Sequence, residues 1–576
     1  MEFSWMIGGE AGFGIMASGL TMSKAFARGG LHVFDTVEYP SLIRGGHNSY
    51  QVRVSDREVF SHTGYIDLLV ALNKETVHLH KDEMAPTGCI VFNGKEDPED
   101  RFDVHADICL FPIPLSEIVQ NLGVKSIMQN TAALGATFGL IGYDLTILEE
   151  LLTEIFQRKG EKIIQSNIKV ARAGYDFVME NHPGGTGIII KPTDNHRRLV
   201  INGNEAVGLG ALSAGLRFYS AYPMTPASGL LHFLAAEEQN HNLVVKHTED
   251  ELAAILMAIG ASHAGVRAMT ASSGGGFALM TEALGMAAMT ETPLVVMVAQ
   301  RPGPSTGLAT RSEQGDLRFV MHASQGDFLR VVMAPGDVSE CYWAAGRAFN
   351  LAEKYQIPVL IITDKYLTES HKTVEPFEPV TVDRGLLLNL EEMDAVSNYK
   401  RYELTESGIS PRVMPGHPNI IFDANSNEHN EYGHDLDNPD NRTIMMDKRM
   451  NKIESIVKEL EEPVIYGPPG ADVTLVGWGS TKGPILEAML LMTENNISVN
   501  FLQIIFIHPF PAEKVSDILK SSKFTIGVEN NKEAQLGGVI RERTGIELNK
   551  KILKYNGRPF TPEEIANRVM EVMIHG

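Results

Sequence analysis

The chain has 576 residues, of which 43% are hydrophobic and 21% charged, and its formal net charge is −22. This length exceeds what one hydrophobic core supports, so we expect about three domains. The negative charge argues against a nucleic-acid partner and an anionic membrane surface, because both need a basic face. No apolar run reaches the roughly 20 residues that span a bilayer. The first residues lack the basic region and cleavage site of a secretory signal, and we expect a cytoplasmic protein.

Cysteine is scarce in this sequence. Cys89, Cys109 and Cys341 are the three cysteines, and no two of them have the C-x-x-C spacing. Disulfide bonds, a four-cysteine zinc site and an iron–sulfur cluster held by this chain alone are therefore disfavoured. If the protein passes electrons through a cluster, another chain must hold that cluster.

The first block, to about residue 185, opens with a strand, FSWMIGG, a glycine turn, EAGFG, and a helical stretch, IMASGLTMSKAFARGG. A second strand, LHVFDTVEY, follows. This order is typical of the start of a β-α-β unit and predicts a parallel sheet.

The glycine turn of this block continues as GFGIMA, residues 12–17, and fits the pattern G-x-G-x-x-A. Gly12 and Gly14 could let a pyrophosphate approach the helix N-terminus, and Asp35 near the second strand could bind a ribose hydroxyl. A basic glycine loop, SLIRGGHNS with Arg44, lies nearby. Two interpretations stay open: a site for a phosphate-bearing ligand, or a tight turn with no ligand.

The rest of the chain is divided by polar segments. Residues 180–198 concentrate Gly, Pro, Asn and Asp and are predicted to be a linker. A second α/β block follows to about residue 380, with strands at VRAMTAS, TPLVVMVAQ and IPVLIITD. Residues 385–465 are polar and irregular, which predicts a long exposed connection. A third α/β block begins at ADVTLVGWG and has further strands at SVNFLQIIF and FTIGVEN.

Two loops of the second block carry candidate binding residues. AYPMTPASG, with Tyr222 and Pro223, places two prolines around Thr225, so that a stiff turn could fix the direction of the Thr225 hydroxyl. QRPGPSTGLATRSEQGDL follows a strand and holds Arg301 and Arg311. Ligands bind at the carboxyl ends of parallel strands in such folds, and an arginine fork suits a carboxylate.

The segment KHTEDELAAIL places Glu251 directly before a run of apolar residues. Burying an ionised carboxylate there costs several kcal/mol unless it is paired or protonated. One interpretation is helix capping, with Thr248 as the N-cap and Glu251 three residues on, as in a capping box. The other is a functional carboxyl in an apolar niche.

Two patterns mimic metal sites. EHNEYGH, residues 428–434, holds two glutamates and two histidines but has no helical H-x-x-x-H spacing, so we predict no metal there. Gly326–Asp327 followed by Asn350 imitates a magnesium diphosphate motif. Phe328 replaces its second glycine and Asn350 lies inside a helical pattern, so this interpretation is rejected.

Five motifs together resemble the alpha subunit of 2-oxoacid:ferredoxin oxidoreductases, of the type with a gamma domain fused in front: AYPMTPASG, TEDELAA, MTASSGGGFALMTEALGMA, QRPGPSTGLATRSEQGDL and GISPRVMPG. The resemblance covers nearly the whole length. It implies a multi-domain α/β fold. The implied parts are a Rossmann-like gamma domain (1–190), a thiamine diphosphate pyrimidine-binding domain (198–385), an irregular connection (386–465) and a transketolase C-terminal-like domain (466–576).

This sequence departs from the family pattern at four positions, none of which removes a charged group. Met224 stands where isoleucine is usual, and Ala227 where serine is common. Ala309 and Gly275 each replace a proline.

The resemblance also implies residue roles. Its glutamate, which shares the proton on N1′ of thiamine, falls on Glu251, with Glu249 as the runner-up. The substrate-carboxylate arginine falls on Arg301, and Arg311 is a second arginine of the same loop. Thr225 is implied to bond the substrate carboxylate or ketone oxygen.

Two further sets of positions are implied to bind cofactors. Tyr222 and Pro223 are expected to line thiamine. Gly12, Gly14 and Arg44 are candidates for contacting coenzyme A, the alternative being that this glycine loop binds no ligand.

The chain lacks a G-D-G…N motif and a cysteine set for a cluster, and the resemblance places both on a separate beta subunit, with Mg²⁺ and a [4Fe–4S] cluster. The implied reaction is CoA-dependent oxidative decarboxylation of a 2-oxoacid, with ferredoxin as acceptor. 2-Oxoglutarate is the first choice of substrate, before branched 2-oxoacids and pyruvate. The alternatives are half of a non-redox thiamine diphosphate enzyme and a dinucleotide-binding regulatory protein.

Overall fold

The computed structural model describes residues 1–41, 45–94, 102–193 and 196–575. Arg44, a predicted coenzyme A contact, lies outside the described residues. The chain forms two compact units. The first comprises residues 1–201 with the short segments 370–376 and 561–563, and the second comprises the remainder.

The described residues form strands with these bounds: β1 Glu2–Glu10, β2 His32–Glu38, β3 His47–Ser55, β4 Ile66–Ala71, β5 Met84–Asn93, β6 Cys109–Ile113, β7 Leu199–Asn202, β8 Leu216–Ala221, β9 Val244–His247, β10 Arg267–Ser272, β11 Leu294–Gln300, β12 Val331–Met333, β13 Pro358–Asp364, β14 His371–Val374, β15 Val464–Tyr466, β16 Val473–Gly477, β17 Val499–Gln503, β18 Phe506–His508, β19 Thr525–Glu529 and β20 Lys550–Leu553.

The helices have these bounds: α1 Ile15–Arg28, α2 Lys74–His80, α3 Leu115–Asn121, α4 Gln129–Leu140, α5 Leu145–Phe156, α6 Glu161–Asn181, α7 Gly203–Ser213, α8 Ser228–Glu237, α9 Glu251–His263, α10 Gly274–Met289, α11 Leu317–His322, α12 Val338–Tyr355, α13 Lys365–Glu369, α14 Leu390–Ala395, α15 Pro439–Glu459, α16 Lys482–Glu494, α17 Ala512–Ser521, α18 Gln535–Thr544 and α19 Pro562–His575.

The first unit is built on an eight-stranded sheet with the order β6-β5-β4-β1-β3-β2-β14-β7. The predicted strand, helix and strand at its start are confirmed as β1, α1 and β2. The predicted parallel sheet is in fact mixed, because β3 lies between β1 and β2 and pairs antiparallel with both. β1, β4, β5 and β6 pair in parallel. Alternation of side chains does not reveal strand direction, so sequence could not place β3.

Asp35, the predicted ribose ligand, is buried inside this unit. Its carboxylate accepts hydrogen bonds from Ser23 Oγ at 2.8 Å and from the Tyr50 hydroxyl at 2.6 Å. It also accepts one from the backbone N–H of His371 at 2.7 Å. With only 1% of its surface exposed, Asp35 cannot reach a ribose. The dinucleotide interpretation is therefore wrong for this residue, which instead holds β14 on the sheet.

The predicted linker at 180–198 is partly packed against the first unit. Ile190 is fully buried, and its backbone N–H donates to the Ile141 carbonyl at 3.0 Å. The backbone N–H of Thr193 donates to the Gly29 carbonyl at 2.8 Å. Apolar side chains among the prolines and glycines of this segment anchor it, so it is not a free tether.

The second unit holds two sheets. One has seven strands in the order β18-β12-β13-β11-β10-β8-β9, all parallel except β18. The other has five strands in the order β15-β17-β16-β19-β20. The stretch SVNFLQIIF, predicted as one strand, forms β17 in the smaller sheet and then β18 in the larger one. Their shared apolar core is fully buried and includes Phe277, Val298, Trp478 and Leu502.

The connection predicted to be irregular contains a helix of 21 residues, α15. Its start was readable, because Asn438 caps it and Pro439 occupies its first turn. Lys448 and Lys452 lie on one face of α15 and both donate to the buried carboxylate of Glu291. The connection is thus fixed to the second unit by a buried charge cluster.

The EHNEYGH segment has a structural role. Glu428 accepts hydrogen bonds from Arg442 and Arg449 on α15. His429 is buried, and its ring lies 4.1 Å from that of Tyr402. Across the described ranges, no group of three or more His, Cys, Asp or Glu side chains is arranged to hold a metal ion.

Candidate active site

Glu251 is the first residue of α9 and is 3% exposed. The preceding Asp250 is the N-cap, and its carboxylate accepts the backbone N–H of Ala253 at 2.8 Å. The predicted capping box is therefore wrong: the Thr248 hydroxyl donates to the Asp250 carbonyl instead, and Glu251 does not occupy the third helical position. Asp250, which directly precedes the helix, is itself a residue type that caps helices well. Glu251 is thus left available for another purpose.

The carboxyl group of Glu251 lies in a niche between α9, the end of β10 and the start of α10. Ser272 Oγ donates to Glu251 Oε1 at 3.1 Å. Gly276 in α10 leaves the space that the carboxyl occupies. A Cβ on Gly276 would lie 2.3 Å from Glu251 Oε1 and 2.0 Å from Ser272 Oγ. A side chain at position 276 would therefore have to displace the ends of the Glu251 and Ser272 side chains.

Gly276→Ala is expected to displace the Glu251 carboxyl and to cost about 1 to 3 kcal/mol through overpacking. Gly275→Ala is the matched control, because its Cβ meets only the Ser305 carbonyl oxygen at 3.8 Å, an ordinary contact. Alanine at 275 should be neutral or stabilise the helix by about 0.5 to 1 kcal/mol. Thermal unfolding of the two variants tests this. Equal midpoints for both would show that the niche tolerates a methyl group.

Arg301 and Thr225 meet at the carboxyl ends of two strands of the seven-stranded sheet. Thr225 lies in the turn after β8, and Arg301 follows β11, with β10 between those strands. Arg301 Nη1 donates to the Thr225 carbonyl at 3.0 Å. Parallel strands bring the loops at their carboxyl ends to one edge, which also holds Ser272 and the start of α10. The structure thus brings Thr225 and Arg301 together on the edge that carries the Glu251 niche.

The turn before Thr225 shows partial exposure. Tyr222 is 38% exposed, and its ring centroid lies 6.3 Å from that of His247. Pro223 is half-buried. Ser273 Oγ, at the start of α10, donates a hydrogen bond to Met224 Sδ. The turn that carries Thr225 therefore lies directly beside the start of α10 in the candidate site.

Arg311 lies further along the same loop, against a different part of the second unit. Its backbone N–H donates to the Leu308 carbonyl at 3.1 Å. A Cβ on Gly557 would lie 3.2 Å from Arg311 Cβ, so the turn at Gly557 packs on this arginine. The next residue, Ser312, donates its backbone N–H to the Gly557 carbonyl at 3.2 Å. One loop carries both Arg301 and Arg311.

Sequence reasoning missed Ser272, Gly276 and Asp316. Asp316 ends the loop that Arg301 begins. Burial raises the pKa of the Asp316 carboxyl to about 6, against the lowering effect of the Arg301 charge. Burial lowers the pKa of Arg301, and Asp316 partly opposes that shift. An aspartate directly before an apolar helix is ordinarily interpreted as a cap, which hid this residue.

In the first unit, Gly12 and Gly14 have positive φ values of 99° and 76°. A Cβ on Gly14 would lie 2.2 Å from the Asn130 side-chain nitrogen, which donates to the Phe13 carbonyl at 3.1 Å. A Cβ on Gly12 would have no neighbouring atom within 4 Å. Gly14 is therefore explained by packing and backbone conformation, and the face beside Gly12 is open.

No helix in the described part of the chain is long and apolar enough to cross a bilayer.

Comparison with known proteins gives three matching family models. The model described as "Pyruvate flavodoxin/ferredoxin oxidoreductase, thiamine diP-bdg" matches residues 209–448. "Pyruvate ferredoxin/flavodoxin oxidoreductase" matches residues 4–177, and "Pyruvate:ferredoxin oxidoreductase core domain II" matches residues 471–565.

Relatives match over the full length. The 2-oxoacid:ferredoxin oxidoreductase subunit alpha of a Sulfolobus species is 34% identical, over all of this chain and 98% of the relative. The 2-oxoglutarate oxidoreductase subunit KorA of Mycobacterium tuberculosis is 27% identical over 97% of this chain and 89% of its own. A solved structure of 2-oxoglutarate:ferredoxin oxidoreductase from Magnetococcus marinus, with 2-oxoglutarate, coenzyme A and succinyl-CoA bound, is 35% identical, covers 99% of both chains and has a TM-score of 0.92.

Fold, niche and matches together define an oxidoreductase with a thiamine diphosphate-binding domain. The chain belongs to the 2-oxoacid:ferredoxin oxidoreductase family, as an alpha subunit. The predicted family and the multi-domain α/β fold are confirmed.

Proposed function

We propose that this alpha subunit, with a beta subunit, catalyses the CoA-dependent oxidative decarboxylation of 2-oxoglutarate to its acyl-CoA and CO₂, with ferredoxin as electron acceptor. The observation that carries the proposal is the Glu251 niche on the same strand edge as the Arg301–Thr225 pair. The bound 2-oxoglutarate and coenzyme A of the Magnetococcus enzyme, 35% identical to this chain, support the choice of substrate.

The Glu251 niche suits the pyrimidine end of thiamine diphosphate. When bound, this cofactor supplies the carbanion that attacks the ketone carbon of the oxoacid. Glu251 holds a proton at the pyrimidine N1′, and its apolar surroundings and the Ser272 hydroxyl fix the direction of that carboxyl. Glu249, the runner-up, is exposed and lies before the N-cap of α9, so we assign this role to Glu251. Tyr222 and Pro223 complete the wall of the site beside α10.

Arg301 binds the C1 carboxylate of the oxoacid, because its guanidinium is held at the strand edge by the Thr225 carbonyl. The Thr225 hydroxyl bonds the carboxylate or the ketone oxygen. Arg311 binds the distal carboxylate of 2-oxoglutarate. Gly12, Gly14 and Arg44 contact coenzyme A.

The beta subunit supplies Mg²⁺ and a [4Fe–4S] cluster, since no metal-binding group of three or more side chains exists among the described residues. We therefore expect the purified chain alone to carry neither stoichiometric thiamine diphosphate nor iron, and to be inactive. Co-expression with the beta subunit should restore both cofactors and 2-oxoglutarate- and CoA-dependent reduction of a viologen dye. Thiamine and iron analysis of the two preparations is the measurement. Stoichiometric cofactors on the lone chain would contradict the two-chain assignment, and decarboxylation without dye reduction would indicate a non-redox enzyme.

A further inference from the structure

Asp316 stands at the N-cap position of α11, but its side chain does not cap that helix. An aspartate there ordinarily accepts a hydrogen bond from a backbone N–H of the first turn. The Asp316 carboxylate accepts no such bond. Its backbone N–H donates to Gln300 Oε1 at 2.8 Å, and its carboxylate has no hydrogen bond or ion pair with any residue that the structure describes. A half-buried carboxylate without a partner is costly and indicates another purpose.

The position of this carboxylate connects it to the candidate active site. A Cβ on Gly274 would lie 2.1 Å from Asp316 Oδ2, so the carboxylate covers the first residue of α10. Two residues further, Gly276 makes room for the Glu251 carboxyl. The glycines at 274 and 276 thus accommodate two carboxyl groups on the first turn of one helix, where the backbone N–H groups and the helix dipole favour negative charge.

Arg301 directly follows Gln300, whose side-chain Oε1 accepts the backbone N–H of Asp316 at 2.8 Å. The Arg301 and Asp316 side chains influence each other's pKa but are not within ion-pair distance. Glu313 is the other carboxyl group of this environment. Burial raises its pKa, and the Asp316 charge adds to that effect. Arg301 is therefore the charged group that lowers the pKa of Asp316. If a substrate carboxylate bound Arg301, its negative charge would repel an ionised Asp316.

We propose that Asp316 is a positioning residue that acts through Arg301: it balances the guanidinium charge while no substrate is bound, and takes up one proton from solvent when the C1 carboxylate of the 2-oxoacid pairs with Arg301. When CO₂ leaves, Arg301 loses that anion, and Asp316 releases the proton to solvent and again balances the charge. This inference rests on the proposed function, since it requires Arg301 to bind the substrate carboxylate.

The proposal fixes the sign of a pH dependence. Asp316 is protonated below its pKa of about 6 and ionised above it, whereas substrate binding favours the protonated form. The KM for 2-oxoglutarate should therefore rise by about fivefold between pH 6 and pH 7. Calorimetric titration of the wild-type alpha–beta complex with N-oxalylglycine, which keeps both carboxylates, should show uptake of about one proton per site at pH 7.5. Buffers of different ionisation enthalpy report that number.

Asp316→Asn should lower the KM about thirtyfold at pH 7.5 and flatten its dependence on pH. Glu313→Gln is the matched control, because it removes one carboxylate from the same loop but does not act on Arg301. It should retain a KM that rises with pH, the feature that Asp316→Asn removes. An Asp316→Asn complex with a higher KM, a lower kcat and the wild-type pH profile would make the residue merely structural.

Failures of the two proposals are distinguishable. A wild-type complex that turns over no 2-oxoacid overturns both. Turnover with a pH-independent KM and no proton uptake on N-oxalylglycine binding overturns the Asp316 role alone. The uptake measurement uses the wild-type complex, so it decides the matter even if the Asp316→Asn complex fails to assemble.

Discussion

Glu251→Gln is expected to lower kcat of the alpha–beta complex by about 10² to 10⁴, the usual loss when a general acid–base group is removed. The amide keeps the shape of the side chain but cannot exchange a proton with the pyrimidine N1′. Its oxygen can still accept the Ser272 hydroxyl, so the niche and the fold should persist. The measurement is 2-oxoglutarate-dependent viologen reduction, together with thermal unfolding to verify the fold.

Glu249→Gln is the control for this experiment. Glu249 is exposed and precedes the N-cap Asp250, so the loss of its charge should change kcat by less than about twofold. If Glu251→Gln stays within a few-fold of wild type while Glu249→Gln is inactive, the roles of the two glutamates are reversed. If neither variant loses activity, the pyrimidine proton is held elsewhere.

The sequence predicted the strands and helices of the second unit well because their patterns are local. TPLVVMVAQ and IPVLIITD are continuous apolar runs that form β11 and β13, as expected for a sheet covered on both faces. Strand direction and sheet membership are not local properties. For this reason the antiparallel β3 and the transfer of the chain from β17 to β18 were not predicted.

The candidate site divides in the same way. Glu251, Thr225 and Arg301 are residue types suited to the proposed chemistry, and the family resemblance pointed to all three. The roles of Asp316 and Gly276 depend on neighbours that are distant along the chain, so the local sequence does not reveal them. A glycine in GGG could be a flexible helix start, and only the position of the Glu251 carboxyl shows why a methyl group is excluded at 276. For Asp35 the local pattern misled the prediction. Its spacing from the glycine turn fits a ribose ligand, but its carboxylate is buried and bonded to Tyr50 and His371.

Arg301 and Arg311 are expected to divide the recognition of a dicarboxylate. Arg301 lies at the strand edge with Thr225, whereas Arg311 packs beside Gly557. We expect the two to contact opposite ends of 2-oxoglutarate. Removing an arginine that pairs with a desolvated carboxylate should cost on the order of 2 to 5 kcal/mol in transition-state stabilisation. Arg301→Ala should therefore impair every 2-oxoacid alike, since all share the C1 carboxylate.

Arg311→Ala should impair 2-oxoglutarate far more than pyruvate or 2-oxobutyrate, because these two substrates have no distal carboxylate. The measurement is kcat/KM for all three substrates with each variant of the alpha–beta complex. Arg318→Ala is the control: Arg318 lies just beyond the loop, pairs with Glu542 at 2.6 Å and should affect the three substrates equally and weakly. An equal loss on all three substrates in Arg311→Ala would place Arg311 at the common carboxylate and would leave the distal carboxylate of 2-oxoglutarate without an assigned partner.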